Sequence, residues 1–294
     1  MKKSKIKVHT SDVVKTFIWV LIMIYAISII ALYGWVLLSS FKGKIDFNTN
    51  IFGFPKKIIV ENYSKALTNF MVPIFRNSRV EKVYLGELLT NSLFYIIGCS
   101  LSATICPIMV SYATSKFNFK FNALIDGIVI VTMILPIIGS DAAMIKMSQR
   151  LGLYDHMVGM YFMKFTFLGF NYLLFKSTFK SIDKAYAESA YIDGASEFRI
   201  MTSINLPLIA NVFAIVLLIQ LMGFWADWTT PLIYMPHKPT VAYALYELQF
   251  SSDPVLAFKP VQFAACILAS IPTLIIYISF RKKIMGGLSI GGLK

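Results

Sequence analysis

Cysteine is scarce in this sequence, and so are acidic residues. Cys99, Cys106 and Cys266 are the only three cysteines in 294 residues. They are odd in number and sit in apolar runs, so a disulfide-stapled secreted scaffold is excluded and the thiols read as small hydrophobes. Charged residues make up 15% of the chain and hydrophobic residues 57%, whereas a soluble domain has about 25% and about 45–50%. This is not the composition of a soluble enzyme or binding protein. His9, His156 and His237 are far apart, and none is spaced with a cysteine or carboxylate as a metal ligand would be. All three read as surface or interfacial residues. No Ser-His-Asp or paired-carboxylate pattern stands out, which leaves a membrane-embedded enzyme as a minor alternative. What the chain does have is long uncharged apolar runs and a mean hydropathy of +0.67. It reads as a polytopic membrane protein.

Lys and Arg number 28 against 15 Asp and Glu, a net charge of +13. There is no contiguous basic stripe and no RNA-binding aromatic motif, so nucleic acid is not the expected partner. The cations lie between apolar runs, where they act as topology signals and contacts for anionic headgroups of the membrane lipid.

A helix needs about 20 mostly apolar residues to cross about 30 Å of hydrocarbon. Six candidate spans meet or approach this: residues 17–38, 88–113, 121–138, 157–175, 209–225 and 261–280. The first run is too long for a signal-peptide core and is expected to be retained. Pro107 and Pro136 lie inside the second and third spans, and Lys164 interrupts the fourth. Placing the N-terminus inside puts Lys2, Lys3, Lys5, Lys7 and Lys15 in the cytoplasm. The same choice keeps Lys116, Lys120, Lys180, Lys184, Arg199, Arg281, Lys282, Lys283 and Lys294 inside. One loop argues the other way: residues 41–87 would lie outside and carry eight basic residues. It is long enough for the charge rule to weaken, and it also holds Asp46, Glu61, Glu81 and Glu87. The expectation is therefore an all-α protein of about six transmembrane helices, N-in and C-in. It divides into a cytoplasmic tail (1–16), a transmembrane domain (17–281) and a cytoplasmic tail (282–294). Within the transmembrane domain lie an external loop, 41–87, and a cytoplasmic loop, 178–208. No internal repeat is visible, which weighs against a secondary transporter built from paired halves.

The cytoplasmic loop carries the most information. Ser181 or Asp183 caps a predicted helix over residues 183–193, and Gly194 offers a left-handed stop. Ser196 caps a second short helix that Pro207 separates from the next span. Ala187, Ala190, Tyr191 and Gly194 fall at i, i+3, i+4 and i+7, a face of mostly small residues that admits a partner backbone. Composition alone equally allows an amphipathic helix lying in the headgroups.

The particular residues narrow this. Glu188-Ser189-Ala190, three residues, Gly194, nine residues, then Ile204-x-Leu206-Pro207 resembles the EAA loop of ABC importer permeases, Glu-Ala-Ala-x3-Gly-x9-Ile-x-Leu-Pro. Every spacing fits, and Ser189 for Ala is the one departure. Asp193-Gly194-Ala195 and Phe198 are similar to the extended form in carbohydrate-uptake permeases of the maltose type. So are Asn91-Ser-Leu, the segment 111–120, Leu151-Gly-Leu-Tyr-Asp155, Trp225-Ala-Asp-Trp-Thr-Thr-Pro231 and the glycine-rich tail 286–294. The resemblance covers most of the chain. It implies a type I ABC importer permease fold and alternating access, with the loop docked as a coupling helix in an ATPase groove. Glu188 and Gly194 would carry that contact, with Ser189, Ala190, Asp193, Ala195, Phe198, Leu206 and Pro207 around them. The implied partners are a second homologous permease, two ATPase subunits and an extracytoplasmic solute-binding protein, in a bacterial plasma membrane. A polyamine or phosphonate permease is the alternative within the same class.

The chain cannot hydrolyse ATP itself. A phosphate-cradling loop needs Gly-x4-Gly-Lys-Ser/Thr, whereas Gly287 and Gly292 are followed by Leu293. No cofactor is expected on this chain, and ATP with Mg belongs to the ATPase partner. Lys164 has two readings: a cation snorkelling to the interface, or one lining the solute path. Trp225, Asp227 and Trp228 likewise form either an interfacial aromatic belt or a set of apolar faces and a carboxylate suited to a sugar.

Overall fold

The computed structural model describes residues 10–76, 78–135 and 139–288. Lys2, Lys3, Lys5, Lys7 and His9, Pro136 in the third expected span, and the closing residues 289–294 lie outside them. The chain forms α1 (Thr10–Ser40), α2 (Lys44–Thr49), α3 (Glu61–Asn69), β1 (Met71–Arg76), β2 (Arg79–Tyr84), α4 (Leu85–Lys116), α5 (Asn122–Ile134), α6 (Asp141–Arg150) and α7 (Met157–Lys164). It continues as α8 (Phe170–Ser181), α9 (Ala185–Ile192), α10 (Glu197–Ile200), a π-helical turn (Met201–Asn205), α11 (Leu206–Leu208), α12 (Ala210–Ala226), α13 (Thr229–Tyr234), α14 (Val241–Leu248) and α15 (Lys259–Leu288). Among the described residues the architecture is helical apart from one antiparallel hairpin, in which Met71 faces Tyr84 and Phe75 faces Val80. That hairpin lies in the expected external loop, and the all-α expectation did not include it.

Among the described residues, three stretches are long and apolar enough to cross a bilayer alone: Val14–Ser40, Leu85–Lys116 and Lys259–Arg281. At 1.5 Å per residue they reach about 35 to 48 Å, more than the hydrocarbon requires. The remaining expected spans are shorter or interrupted. The third is the 13-residue α5. The fourth is not one helix, because α7 stops at Lys164 and α8 starts only at Phe170, after a backbone turn at Gly169 (φ +120°). The fifth reaches spanning length only as a pair, Glu197–Leu208 followed by Ala210–Ala226 with a 78° bend.

The chain divides into two compact units. One comprises the residues up to Phe70 with Gln249–Leu268; the other comprises Met71–Leu248 with the residues from Ala269 on. In the first, the end of α1 is closed by side chains. Asn62 donates to the carbonyls of Ser40 and Lys42 at 2.8 and 2.9 Å. The fully buried Lys42 ammonium donates to the carbonyls of Asn50 and Ile51 at 2.6 and 2.9 Å.

In the second unit, α4 is the axis, and it has two cores. Tyr95, Ile96 and Cys99 in its first half pack with Met160 of α7, Tyr234 of α13 and Met235. Ile108 and Tyr112 in its second half pack with Phe175 and Phe179 of α8, Ile209, and Val216 of α12. Gly98 sets the first contact: a Cβ there would collide with the Tyr161 ring, so its absence lets α7 lie close against α4. The Tyr161 hydroxyl then donates to the Phe94 carbonyl at 2.9 Å.

A polar node joins α4, α5 and α8. Lys176 lies 2.5 Å from Asp126, whose carboxylate also accepts from the Tyr172 hydroxyl at 2.8 Å, and Tyr172 in turn meets Thr114 at 2.8 Å. The Lys176 side chain is 7% exposed and that of Asp126 35%. Removing one member of a buried pair costs about 3–5 kcal/mol because the other charge is stranded, and the partial exposure of Asp126 places this pair near the lower end. Asp126→Ala should therefore lower the thermal midpoint of the purified protein clearly, and Asp126→Asn with Lys176→Met by less. Equal losses in single and double variants, read by thermal unfolding in detergent, would show that the pair is not the stabilising element.

Candidate functional site: the loop between α8 and α12

The loop after α8 folds by local rules that the sequence announces. Asp183 Oδ1 accepts from the Ala185 amide at 3.0 Å and starts α9. At the other end Gly194 takes φ +74°, its amide donates to the Tyr191 carbonyl at 3.0 Å, and the Ala195 amide donates to the Ala190 carbonyl at 2.9 Å. This pair of bonds is the Schellman closure, which satisfies the last carbonyls of a helix and needs a left-handed residue. Ser196 Oγ then accepts from the Arg199 amide at 3.4 Å and caps α10. Both predicted helices and the turn at Gly194 are present.

Pro207 behaves differently from the expectation. It does not separate the second helix from the next span. It sits in the first turn of α11, where a missing N–H does no harm, directly after the π turn. The direction changes at Ile209 instead. Leu206 is half-buried there and Pro207 exposed.

The small-residue face is also only partly available. Ala190 is 8% exposed and Ala187 half-buried, whereas Ile192 is 88%, Phe198 72% and Tyr186 53% exposed. The surface presented outward is therefore more apolar and aromatic than expected. Ile192 was not anticipated, although an apolar residue just before Asp-Gly in a polar loop was a usable signal. Glu188, Ser189 and Asp193 are exposed, with Ser189 Oγ returned to the Tyr186 carbonyl at 3.1 Å.

Two open cavities flank α9. One, of about 380 Å³, is walled by Tyr112, Lys116, Lys180, Lys184, Glu188 and Glu197 among others. The other, of about 300 Å³, is walled by Ala190, Asp193, Ala195, Arg199, Ser203 and Ile204. The loop is tied to the end of α4 at two points. Tyr112 donates to Glu197 at 3.4 Å, and Lys116 donates to the Ile182 carbonyl at 3.3 Å.

The second group of expected site residues makes the following contacts. Trp225 donates from Nε1 to the Ala269 carbonyl of α15 at 3.0 Å. Asp227 accepts from the Tyr95 hydroxyl at 2.8 Å and from the Thr230 amide at 3.0 Å, so it joins α4 to the start of α13. Trp228 stacks on Tyr246 of α14, with centroids 3.8 Å apart and planes at 6°. The Tyr95 ring meets the Phe224 ring edge-on, with centroids 5.8 Å apart. Lys164 ends α7 with its ammonium 5.7 Å from the centroid of the Phe224 ring. Among the described residues it forms no ion pair. Among the described residues, too, no group of three His, Cys, Asp or Glu is placed to hold a metal ion.

Comparison with known proteins agrees with this organisation. The family model for the binding-protein-dependent transport system inner membrane component matches residues 103–284, more than half of the chain. The chain is 25% identical over 292 residues to the "Probable starch degradation products transport system permease protein AmyC" of Thermoanaerobacterium thermosulfurigenes, covering 98% of this chain and 99% of that one. It is 23% identical over 282 residues to the diacetylchitobiose uptake system permease protein NgcG of Streptomyces coelicolor, covering 92% and 86%. Its fold matches the crystal structure of a bacterial ABC transporter involved in the import of the acidic polysaccharide alginate. The TM-score is 0.75, at 20% identity over 95% of this chain and 99% of that one. The chain belongs to the family of binding-protein-dependent transport system inner membrane components.

Proposed function

We propose that this chain is the membrane-spanning permease subunit of an ATP-driven saccharide importer of a bacterial plasma membrane, fed by an extracytoplasmic solute-binding protein. The observation that carries the coupling part is the loop between α8 and α12. It exposes Glu188, Ile192 and Phe198 around a glycine turn with φ +74°, and it is fastened to α4. The saccharide class is supported by the names of the curated relatives, a starch-product permease and a diacetylchitobiose permease. The permease is not itself an enzyme. ATP hydrolysis, with its Mg, belongs to separate ATPase subunits, and a second homologous permease completes the pathway.

The route from nucleotide to solute follows from the contacts. Closure of the ATPases displaces the docked α9–α10 segment. Glu197–Tyr112 and Lys116–Ile182 hand that displacement to the inner end of α4. The core of Ile108, Tyr112, Phe175, Phe179 and Ile209 makes α8 and the head of α12 move with it. Close-packed helices shift as blocks rather than deforming, so the spans rock between inward-open and outward-open states.

Glu188→Lys and Gly194→Pro should assemble with the complex but abolish transport and solute-stimulated ATPase activity. The first reverses the charge offered to the ATPase groove, and proline cannot adopt a positive φ. Gly194→Asn should retain most activity, because asparagine tolerates this conformation and open space surrounds the position. Normal transport by both damaging variants would remove the loop from the coupling role.

Orientation is tested separately. Cysteines introduced beside Lys184 should react with impermeant thiol reagents only from the cytoplasmic side, and those beside Lys57 only from outside. Reaction of both from one side overturns the arrangement.

Lys164 is proposed to face the solute path. A cation at the centre of a span costs about 2.5–3.5 kcal/mol; Lys164, at the end of α7, has an aromatic face beside it and, among the described residues, no carboxylate in ion-pair contact. Lys164→Met should therefore reduce uptake while leaving assembly and basal ATPase activity intact. Unchanged uptake kinetics would assign the residue to the interface.

A further inference from the structure

His237 lies between α13 and α14, and each of its two ring nitrogens faces a hydrogen-bond acceptor. Nδ1 is 2.7 Å from Asp155 Oδ2, and Nε2 is 2.6 Å from the main-chain carbonyl of Phe75 in β1. A carboxylate and a carbonyl accept hydrogen bonds and donate none. A neutral imidazole has one N–H, so one of its nitrogens would face an oxygen lone pair. Only the imidazolium satisfies both contacts.

The main chain reinforces the junction. The His237 amide donates to Asp155 Oδ1 at 3.1 Å, and the Asp155 amide donates to the Tyr234 carbonyl at 2.8 Å. Arg76 donates to the His237 carbonyl at 2.9 Å. Asp155 is held at φ +61°, a conformation rare outside glycine and one that needs surrounding structure to maintain it. Three segments remote in sequence, β1, the turn before α7 and the α13–α14 connection, therefore meet on one ring. The connection is bolted to α4 as well. Asn91 donates to the Pro239 carbonyl at 3.0 Å, and the Val241 amide donates to Ser92 Oγ at 2.8 Å. The hairpin runs from Tyr84 directly into Leu85 of α4 with no linker. Its position and that of the first turns of α4 are thus set together.

We propose that His237 is a positioning residue for the transport cycle: its imidazolium pins the β1–β2 hairpin and the Asp155 turn to the outer end of α4, and loss of its proton releases the hairpin. The site is sided: with the orientation proposed above, it answers to the medium outside the cell. The charged groups facing it are Asp155, which favours the proton, and Arg76, which opposes it and is itself paired with Glu81 at 3.2 Å. The hydrogen bonds to Asp155 and to the Phe75 carbonyl hold His237 above the ordinary imidazole range, against partial burial and Arg76. A raised value means that the pin is complete below the ordinary histidine pKa of about 6.5 and is lost as pH climbs through the higher folded value.

The test places a nitroxide on Lys82→Cys, on an exposed position of β2, in the full chain with Cys99, Cys106 and Cys266 replaced by alanine. The labelled chain is assembled with its partner subunits in right-side-out membrane vesicles, with inner and outer buffers varied independently from about pH 6 to about pH 9, a range that brackets histidine titration. The spectrum should turn from immobile to mobile as the outer pH rises. His237→Gln should be mobile at every pH. Asp155→Asn, which keeps the ring but removes its carboxylate, should shift the transition to lower pH, a change that a purely structural role would not produce. This second variant carries the test if His237→Gln does not assemble. A spectrum independent of pH in the unmodified junction, or a transition unchanged in both variants, overturns the proposal. A transition that follows the inner buffer instead leaves the pin standing and overturns the orientation.

Discussion

Hydrocarbon cannot hydrogen-bond, so each backbone polar group carried into the bilayer must find its partner inside the protein, and polar side chains gain by doing the same. The organisation of the second unit follows from that constraint. Along α4 the hydroxyls of Ser92, Thr104 and Ser111 turn back to main-chain carbonyls at 2.7, 2.7 and 3.0 Å. Where a charge enters, a second element comes with it: Asp126 and Lys176 tie α5 to α8, and Tyr95 with Asp227 ties α4 to the start of α13. Each such pair also fixes the register of two helices that would otherwise slide on apolar surfaces of little specificity. Polar side chains specify the arrangement here, and apolar ones fill it.

The long helices and the loop after α8 were legible in the sequence because their causes are local. An uncharged run such as 17–38 and the Asp-Gly-Ala-Ser series at 193–196 act through neighbours in the chain. What escaped depends on distance. Asp126 and Lys176 are 50 residues apart, and His237 lies 82 residues from Asp155 and 162 from Phe75. No periodicity connects such partners, so the three histidines looked alike although the structure sets His237 between two acceptors. The tryptophans show the converse. Trp225 and Trp228 are close in sequence, yet they face different elements, α15 and α14.

The fourth span shows how one residue can be read correctly while its element is not. Lys164 was recognised as an interruption, and the structure ends a helix on it. A lysine at a helix C-terminus also meets the negative end of the helix dipole. The break and the charge therefore belong together, and the gap before α8 is where the continuous apolar pattern hid a change of direction.

The 78° bend at Ile209 has a mechanical consequence. With one arm on either side, it has the geometry of a bell crank, the linkage that turns a push along one axis into a swing along another. The arm Glu197–Leu208 is about 18 Å long and α12 about 26 Å, from the rise per helical residue. A rotation of about 10° at the pivot, taken as a rigid turn of the longer arm, sweeps its far end through about 4 Å. Ile209 is buried at the bend, packed with Ile108 and Tyr112 of α4 and Phe175 and Phe179 of α8. Were the bend held rigid and turned about Ile209, the far end of α12 at Trp225 and Asp227 would sweep farther than the loop end, by the ratio of the two arms.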